Sequence, residues 1–149
     1  RNKTPYKVII SANFLVKKII YLELINLNTE NSYGMDYLLG ALLKKHEVHV
    51  EHINNEVYHF GLDENAAFLN KTEHAMQTLS NLYLTKQITS NDISLLKAYG
   101  LLKRFYLQKF FEKLVDHFDS NIKKNLKEEN PNLFLFDLYR LGYFCRIHN

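Results

Sequence analysis

The sequence predicts an all-α protein of stacked amphipathic helices, either a helical hairpin repeat or an irregular bundle. Apolar residues recur every three or four positions along most of the chain. The 149 residues include only five Gly and two Pro, so turn signals are sparse and long helices are favoured. No stretch alternates apolar and polar residues in a way that demands a sheet. We therefore expect one helical domain over residues 1–149, or a fragment of a longer helical array.

The composition is that of a folded chain in a reducing environment. Hydrophobic residues make up 46% and charged residues 23%, as in ordinary globular domains. The single cysteine, Cys145, excludes an internal disulfide framework and favours an intracellular, reducing compartment. Its apolar neighbours predict an inert thiol in or near a core. No uncharged apolar run of about 18 residues exists, so no membrane span is expected. The chain begins with Arg1, which favours a processed product or a piece of a longer protein.

The first half of the chain predicts several helices with polar connections. Residues 8–27 form the first helix, although their β-branched clusters would also permit a strand at its start. The polar residues 27–34 form a connection. In residues 35–60, apolar side chains and His46 recur at helical spacing, which predicts one long helix or two stacked ones. Gly61 supplies a stop, and Asp63 caps a helix over residues 64–84.

The clearest periodicity lies in the next segment. Ser90 or Asn91 starts a helix with Asp92 in its first turn. Its continuation has an apolar stripe at helical spacing, with Lys109 and Lys113 on the other side, and we expect the whole stripe to face the core. The stripe consists of Leu107, Phe110, Phe111, Leu114, Val115 and Phe118.

The last helix is expected to start at Asn130 and Pro131, since Asn can cap a helix and Pro fits its first position. Its apolar face carries Leu133, Phe134, Leu138, Leu141 and Phe144. An offset of 39 residues aligns this helix with the earlier one, pairing Leu96, Leu102 and Phe105 with Leu135, Leu141 and Phe144. The two segments therefore look like copies of one helical repeat.

The segment Asn130-Pro131-Asn132-Leu133-Phe134-Leu135-Phe136-Asp137-Leu138-Tyr139-Arg140-Leu141-Gly142-Tyr143 resembles the helical-hairpin repeats of the octotricopeptide and heptatricopeptide families. The resemblance extends over residues 90–149. It implies an organellar RNA-binding or ribosome-associated protein, with RNA on a positively charged concave face of first helices. The candidate RNA contacts are Lys97, Lys103, Arg104, Arg140 and Arg146. The alternative for each is a solvated residue beside the core.

A histidine-rich stretch raises the question of a metal site. His46, His49, His52 and His59 lie among three glutamates. On a helix, however, these histidines would not converge, and only His52, Glu56 and His59 would share a surface. A di-iron carboxylate site needs the E-x-x-H pattern on each of two helices, and the chain has one copy. We therefore expect no metal and no other cofactor.

No motif of an enzyme is present in the sequence. A glycine-rich phosphate loop, a nucleophile elbow and a dinucleotide fingerprint are all missing. Cys145 and His148 are close in sequence, whereas catalytic Cys and His normally meet from distant segments with a third, orienting group. The sequence therefore favours a protein that is not an enzyme.

These observations predict a non-enzymatic helical module of a larger assembly that contacts RNA and protein. A mitochondrial ribosome or another ribonucleoprotein of an organellar matrix would suit the resemblance. The net charge of +3 permits nucleic-acid contact without demanding it. One alternative is a purely protein-interacting structural subunit, with Phe105, Tyr106, Tyr143 and Phe144 as contact anchors. Another is a helical metal-dependent enzyme built around His52, Glu56 and His59.

Overall fold

The computed structural model describes residues 2–10, 13–25, 33–58, 60–61 and 63–148. Within these ranges the chain forms seven α-helices and no strand, which confirms the all-α fold class. The helices are α1 Lys18–Ile25, α2 Asp36–Lys45, α3 Asn65–Leu84, α4 Ser94–Arg104, α5 Gln108–His117, α6 Asp119–Leu126 and α7 Leu133–Ile147. None of the described helices is long and apolar enough to cross a membrane.

Helix α7 is the element on which α3, α4, α5 and α6 pack. Its residues Phe144 and Cys145 are fully buried with Leu79 of α3 and Leu96 of α4, and Leu38 of α2 joins the same core. This burial confirms the prediction that Cys145 lies in a core. A second apolar cluster joins α3, α5, α6 and α7, and consists of Leu69, Val115, Ile122, Leu126 and Tyr139.

Helices α5 and α7 approach each other closely at Gly142. A Cβ atom placed on this glycine would lie 2.5 Å from Cγ1 and 2.7 Å from Cβ of Val115. Real Cβ atoms do not come this close to other heavy atoms. The absence of a side chain at Gly142 therefore sets the distance between the two helices, which in turn fixes how much of α5 faces the core.

Three helices end in the same hydrogen-bonding pattern, the Schellman motif. After α2, the N–H of Val48 donates to Leu43 O at 2.9 Å and the N–H of Glu47 to Lys44 O at 3.1 Å. The same pair of bonds closes α3 and α4. The residue at the left-handed position is not glycine in any of them, and these residues are Glu47, Lys86 and Tyr106, with φ of 51°, 58° and 57°. Each helix therefore stops without the glycine that usually marks such an end.

The predicted helix over residues 35–60 is wrong beyond Lys45. The chain leaves α2 through Glu47 and continues in extended form, in which the half-buried Val48 and Val50 alternate with exposed residues. This spacing has a period of two residues, as extended chain requires. His46 is exposed at the helix end, and so are Ile53 and Val57, so none of the three lies in an apolar helical stripe.

The extended segment is held by the N-terminal residues of the chain. Asn2 and the backbone of His52 exchange two hydrogen bonds, of 3.2 Å and 2.8 Å. The hydroxyl of Tyr6 donates to Val48 O at 2.9 Å, and Asn13 Nδ2 donates to Asn55 O at 3.1 Å. The predicted helix over residues 8–27 is therefore wrong at its start, since Lys18–Ile25 is the only helical part of this range among the residues that the structure describes. Most of the predicted connection at 27–34 lies outside the described residues.

Helix α3 agrees closely with its predicted range, whereas α4 and α7 start later than predicted. Asp63 was expected to cap α3, but its carboxylate pairs with Lys71 at 2.7 Å instead. Helix α4 begins after Asp92, whose carboxylate accepts hydrogen bonds from the N–H and hydroxyl of Thr89 at 2.8 and 2.7 Å. Helix α7 is capped by Asn132, whose side chain accepts from Phe134 N at 2.9 Å. The predicted starts at residues 90–91 and 130–131 are thus each a few residues too early.

Candidate functional site

The stripe of α5 is mostly on the surface, which corrects the prediction that all of it faces the core. Leu107, Phe110, Leu114 and Phe118 are 43%, 66%, 43% and 46% exposed. Only Val115 is buried, and Phe111 is half-buried. The apolar arc of α5 is wider than the part that α7 covers, since Val115 packs closely on Gly142 while most of the stripe stays exposed.

A groove lies beside this exposed stripe, between α5, α6 and α7. Its volume is about 300 Å³. It is lined by Phe111, Leu114, Val115, Phe118, Asn121, Ile122, Leu135 and Leu138. Asn121 is the one polar side chain among them, so the groove offers almost no hydrogen-bonding groups to a ligand. Phe134, one turn before Leu138 on α7, is 68% exposed and extends the apolar surface. This arrangement is suited to apolar contact with a partner. Its lining includes no ionisable side chain that could catalyse a reaction.

Exposed lysines of α5 and α6 lie outside the groove lining. On α5, Lys109 and Lys113 lie on the side of the helix opposite Phe111 and Phe118, given about 100° of rotation per residue. Both are exposed, as is Lys124 on α6, and none of the three forms an ion pair within the described part of the chain.

Two carboxylates of this region are paired within the fold. Asp116 accepts a hydrogen bond from the Arg146 guanidinium, and Asp119 pairs with Lys123 at 3.0 Å.

Two of the five residues predicted to bind RNA are held by neighbours inside the fold. The guanidinium of Arg140 donates to the hydroxyl of Tyr37 at 3.0 Å, pairs with Asp137 at 3.4 Å, and lies 5.4 Å from the centre of the Phe136 ring. Arg146 pairs with Asp116 and lies 5.8 Å from the centre of the Tyr143 ring. Both side chains therefore contribute to packing between helices.

The other three residues lie on α4 and are exposed. Lys97, Lys103 and Arg104 form no ion pair with any residue that the structure describes. Lys97 and Arg104 are seven residues apart and share one side of the helix, whereas Lys103 points about 100° away from Arg104. The aligned residues of the proposed repeat also differ, since Phe105 is 64% exposed and Phe144 is fully buried. Phe144 therefore cannot serve as a contact anchor, while Phe105 and Tyr106 are accessible.

The predicted metal-ligand candidates are not brought together as a site. Nε2 of His52 lies 2.7 Å from the carbonyl oxygen of Pro5, and Glu56 is exposed on extended chain. His59 lies outside the described residues. Among the residues whose positions are described, no three His, Cys, Asp or Glu side chains are grouped so that they could hold a metal ion.

Burial is the largest cause of the shifted pKa values of Cys145, Tyr139 and His148, and none of the three lines the groove. Burial raises the pKa of the Cys145 thiol to about 11, so at neutral pH it is protonated and a poor nucleophile. Burial and the neighbouring Glu73 carboxylate, to which its hydroxyl donates, raise the pKa of Tyr139. Burial and the charge of Lys103 lower the pKa of His148.

The surroundings of His148 indicate a packing role. Its ring lies 4.5 Å from the centre of the Phe144 ring and 5.2 Å from that of Tyr99, and Nε2 is 3.0 Å from Ser80 Oγ. Such a group is poorly placed to exchange protons with a substrate in the groove.

Comparisons of the chain with models of known protein families, with curated proteins and with solved structures find no match.

Proposed function

We propose that this chain is a non-enzymatic helical module that binds protein within a larger assembly. The observation that carries the proposal is the exposed apolar face of α5, together with the groove beside it. Large contiguous apolar patches are uncommon on monomeric proteins and mark interaction surfaces. A partner that covers Phe110, Leu114 and Phe118 would remove from water the part of the α5 stripe that α7 leaves uncovered.

The chemistry of the buried polar groups supports a binding role over catalysis. Cys145, Tyr139 and His148 have the shifted pKa values that active sites often show. Each shift has burial as its largest cause, and none of these residues lines the groove. A reactive group beside an apolar pocket is the minimum that an enzyme of this shape would need.

Contact with RNA is a second candidate function, and the exposed cations of α4 favour it. Lys97, Lys103 and Arg104 are accessible and lack ion pairs in the described ranges, as phosphate-binding residues must be. Arg140 and Arg146 contribute less, because their guanidinium groups are already bonded. In this form the chain would be a component of a ribonucleoprotein, such as an organellar ribosome, with its protein-binding face on α5.

The protein-binding function is tested by whether the chain is free or part of a protein complex in the cells that produce it. A tagged chain should elute in a complex with protein partners at fixed stoichiometry, and cross-linking mass spectrometry should identify the lysines next to the partner. A chain that elutes as a free monomer from gentle lysis would contradict the proposal.

The RNA candidate has its own test. Lys103→Glu with Arg104→Glu should weaken RNA binding similarly for unrelated sequences and reduce the salt slope by roughly one unit for each lost phosphate contact. The matched control reverses two exposed lysines elsewhere, Lys7 and Lys45. Equal loss in both double variants would indicate a non-specific effect of net charge, and RNA contact by α4 would be excluded.

A further inference from the structure

We propose that the corner between α4 and α5, residues 103–107, binds single-stranded nucleic acid by stacking a base on the ring of Tyr106, beside the cations Lys103 and Arg104. The inference rests on the second candidate function, RNA contact by α4, and adds the form of the nucleic acid and the residue that holds a base. It follows from three features of the corner: a ring that the fold leaves in solvent, cationic neighbours, and side chains that are all exposed.

The described part of the fold does not use the ring of Tyr106. This residue is 90% exposed, and its ring contacts no other aromatic ring and lies under no cation among the described residues. The Schellman motif that ends α4 needs a left-handed residue at this position, for which glycine is favoured. Glu47 and Lys86 occupy the same position after α2 and α3, where a charged side chain suits solvent. Tyr106 instead holds an aromatic ring in water, at a cost in backbone strain.

The residues around this ring are cationic. Residues 93–111 contain no Asp or Glu and four exposed cationic side chains, which are Lys97, Lys103, Arg104 and Lys109. The N–H of Tyr106 donates to Lys103 O at 3.2 Å, so the turn brings these two residues together. Of the acidic residues that border the segment, Asp92 pairs with Lys44 at 2.7 Å and Glu112 is half-buried. Phosphates near the ring would therefore meet cations and no carboxylate of this segment.

A second exposed tyrosine shows that exposure alone does not select such a ligand. Tyr58 is 91% exposed, so it is as accessible as Tyr106. Residues 46–70 around it contain no Lys or Arg and five acidic side chains, which are Glu47, Glu51, Glu56, Asp63 and Glu64. These charges would repel a phosphate backbone. Tyr106 combines exposure with cationic neighbours, and Tyr58 supplies the matched control.

The exposed rings of the corner favour a single strand over a duplex. Residues 103–107 are all exposed, and Phe105, 64% exposed, adds a second ring next to Tyr106. The bases of a duplex stack on one another, whereas an unpaired base can stack on an aromatic side chain. Contacts to phosphates alone would not distinguish the two forms. Preference for a single strand is therefore what the Tyr106 ring adds to the cations.

An acidic peptide fits the corner less well than a nucleic acid. Its carboxylates would be attracted by Lys103 and Arg104, but the face of an aromatic ring is negative and does not attract them. A nucleotide has both a phosphate for the cations and a base with a π face for the ring.

The first experiment tests whether the ring contributes to binding of a single strand. Fluorescence anisotropy at low salt measures the affinity of the intact chain for labelled oligouridine of about 12 nucleotides, and for its duplex with oligoadenosine. Tyr106→Gly should weaken the single strand by about fivefold or more, which is the contribution of one stacked base, and change the duplex by less than about twofold. An equal loss for both forms, or no loss for either, would overturn the proposal.

Matched variants exclude effects on folding and on exposed rings in general. Tyr106→Gly relieves the backbone strain, so a loss of binding in this variant would not result from unfolding. Tyr106→Phe keeps the stacking ring and should bind the single strand within about twofold of wild type. Tyr58→Ala removes an equally exposed ring and should also stay within about twofold. A loss in Tyr58→Ala as large as that in Tyr106→Gly would contradict stacking at the corner.

The second experiment detects the stacked base directly. The chain has no Trp, so Tyr106→Trp and Tyr58→Trp each place a single indole at a known position. Indole fluorescence is quenched when the ring stacks on a base, so saturation with oligouridine should quench Tyr106→Trp and leave Tyr58→Trp unchanged. Binding without quenching of Tyr106→Trp would mean that phosphates alone contact the corner, and the proposal would fall. It would also fall if poly-glutamate bound as tightly as oligouridine and Tyr106→Gly weakened it, since the corner would then bind protein.

The results separate this inference from the function on which it rests. If Lys103→Glu with Arg104→Glu weakens RNA binding while Tyr106→Gly does not, RNA contact by α4 stands and the stacking proposal falls. If Tyr106→Gly weakens the single strand and the double variant does not, base stacking stands and RNA contact through the α4 cations falls. If oligouridine does not bind at low salt, both fall.

Discussion

Replacement of Gly142 by alanine should force α5 and α7 apart, and the structure allows the size of the effect to be worked out. The added methyl carbon would lie 2.5, 2.7 and 2.9 Å from Cγ1, Cβ and Cγ2 of Val115. Valine is branched at Cβ and has one favoured rotamer in a helix, so it cannot turn away. The helices must therefore separate, or the backbone must shift.

Two opposing terms decide the result. Alanine is favoured over glycine inside a helix by roughly 0.5–1 kcal/mol, because glycine loses more backbone freedom on folding. Overpacking of a dense core costs typically about 1–3 kcal/mol. With all three atoms of Val115 closer than 3.0 Å, we take the upper part of that range. Gly142→Ala should therefore lower the free energy of unfolding by about 1–2 kcal/mol.

Gly100 supplies the matched control. It lies inside α4, and a Cβ there would meet no atom within 4 Å. Gly100→Ala should raise the free energy of unfolding by about 0.5–1 kcal/mol. Urea denaturation followed by circular dichroism measures both variants. Opposite signs are expected, and the same sign for both variants would refute the close approach at Gly142.

A double-mutant cycle tests the named contact. Val115→Ala removes Cγ1 and Cγ2, two of the three atoms in conflict. Alone it should cost about 2 kcal/mol, as loss of a buried apolar side chain. Combined with Gly142→Ala, the loss should be smaller than the sum by about 1 kcal/mol, because the new methyl fills the space that is freed. Strict additivity would show that the strain at Gly142 lies elsewhere.

Three further outcomes are expected. The lowered pKa of His148 means that the unfolded chain binds the proton more readily. The contribution of His148 to stability should therefore be complete above about pH 6.5 and be lost as the pH falls further. In urea denaturation His148→Gln should lack this pH dependence, and parallel curves of stability against pH for variant and wild type would refute it. The buried Cys145 thiol, with its pKa raised to about 11, should react with an aromatic disulfide reagent no faster than the protein unfolds; rapid labelling of folded protein would contradict its burial. Tyr106 is exposed and has a φ of 57°. Tyr106→Gly should therefore raise the free energy of unfolding by roughly 0.5–1 kcal/mol in thermal or urea denaturation, because the left-handed strain is relieved. A lower free energy of unfolding would mean that the Tyr106 ring packs on the fold.

The fold class and the strongly periodic helices could be predicted from sequence because they depend on local pattern. Helix α3 agrees with its predicted range almost to the residue. The ends of α2 and α4 could not be predicted from glycine signals, because Glu47 and Tyr106 occupy the left-handed positions. Gly61 does have a positive φ of 74°, but the described residues between α2 and Gly61 are not helical. Val48 and Val50 alternate with polar residues, and this period of two was the available signal of extended chain. The prediction missed it because apolar residues over 35–60 also recur at helical spacing.

The candidate site shows a different limit of sequence reasoning. The periodicity of α5 establishes an apolar arc from Phe110 to Val115 but not which part of the arc another helix covers. That depends on Gly142, which brings α7 against Val115 and leaves Phe110 uncovered. The partner of Arg140 was equally hidden, since Tyr37 lies 103 residues earlier in the chain. Contacts of this kind depend on tertiary packing and have no local sequence signature.

The order of the helices along the chain has a consequence for synthesis on the ribosome. Helices α3 to α6 all pack against α7, which follows them in sequence. As the chain emerges, the parts of their apolar faces that pack on α7 stay uncovered until Leu133–Ile147 has left the exit tunnel. Nascent chains halted before that point should expose apolar surface and attract chaperones, whereas chains released beyond it should fold as a unit.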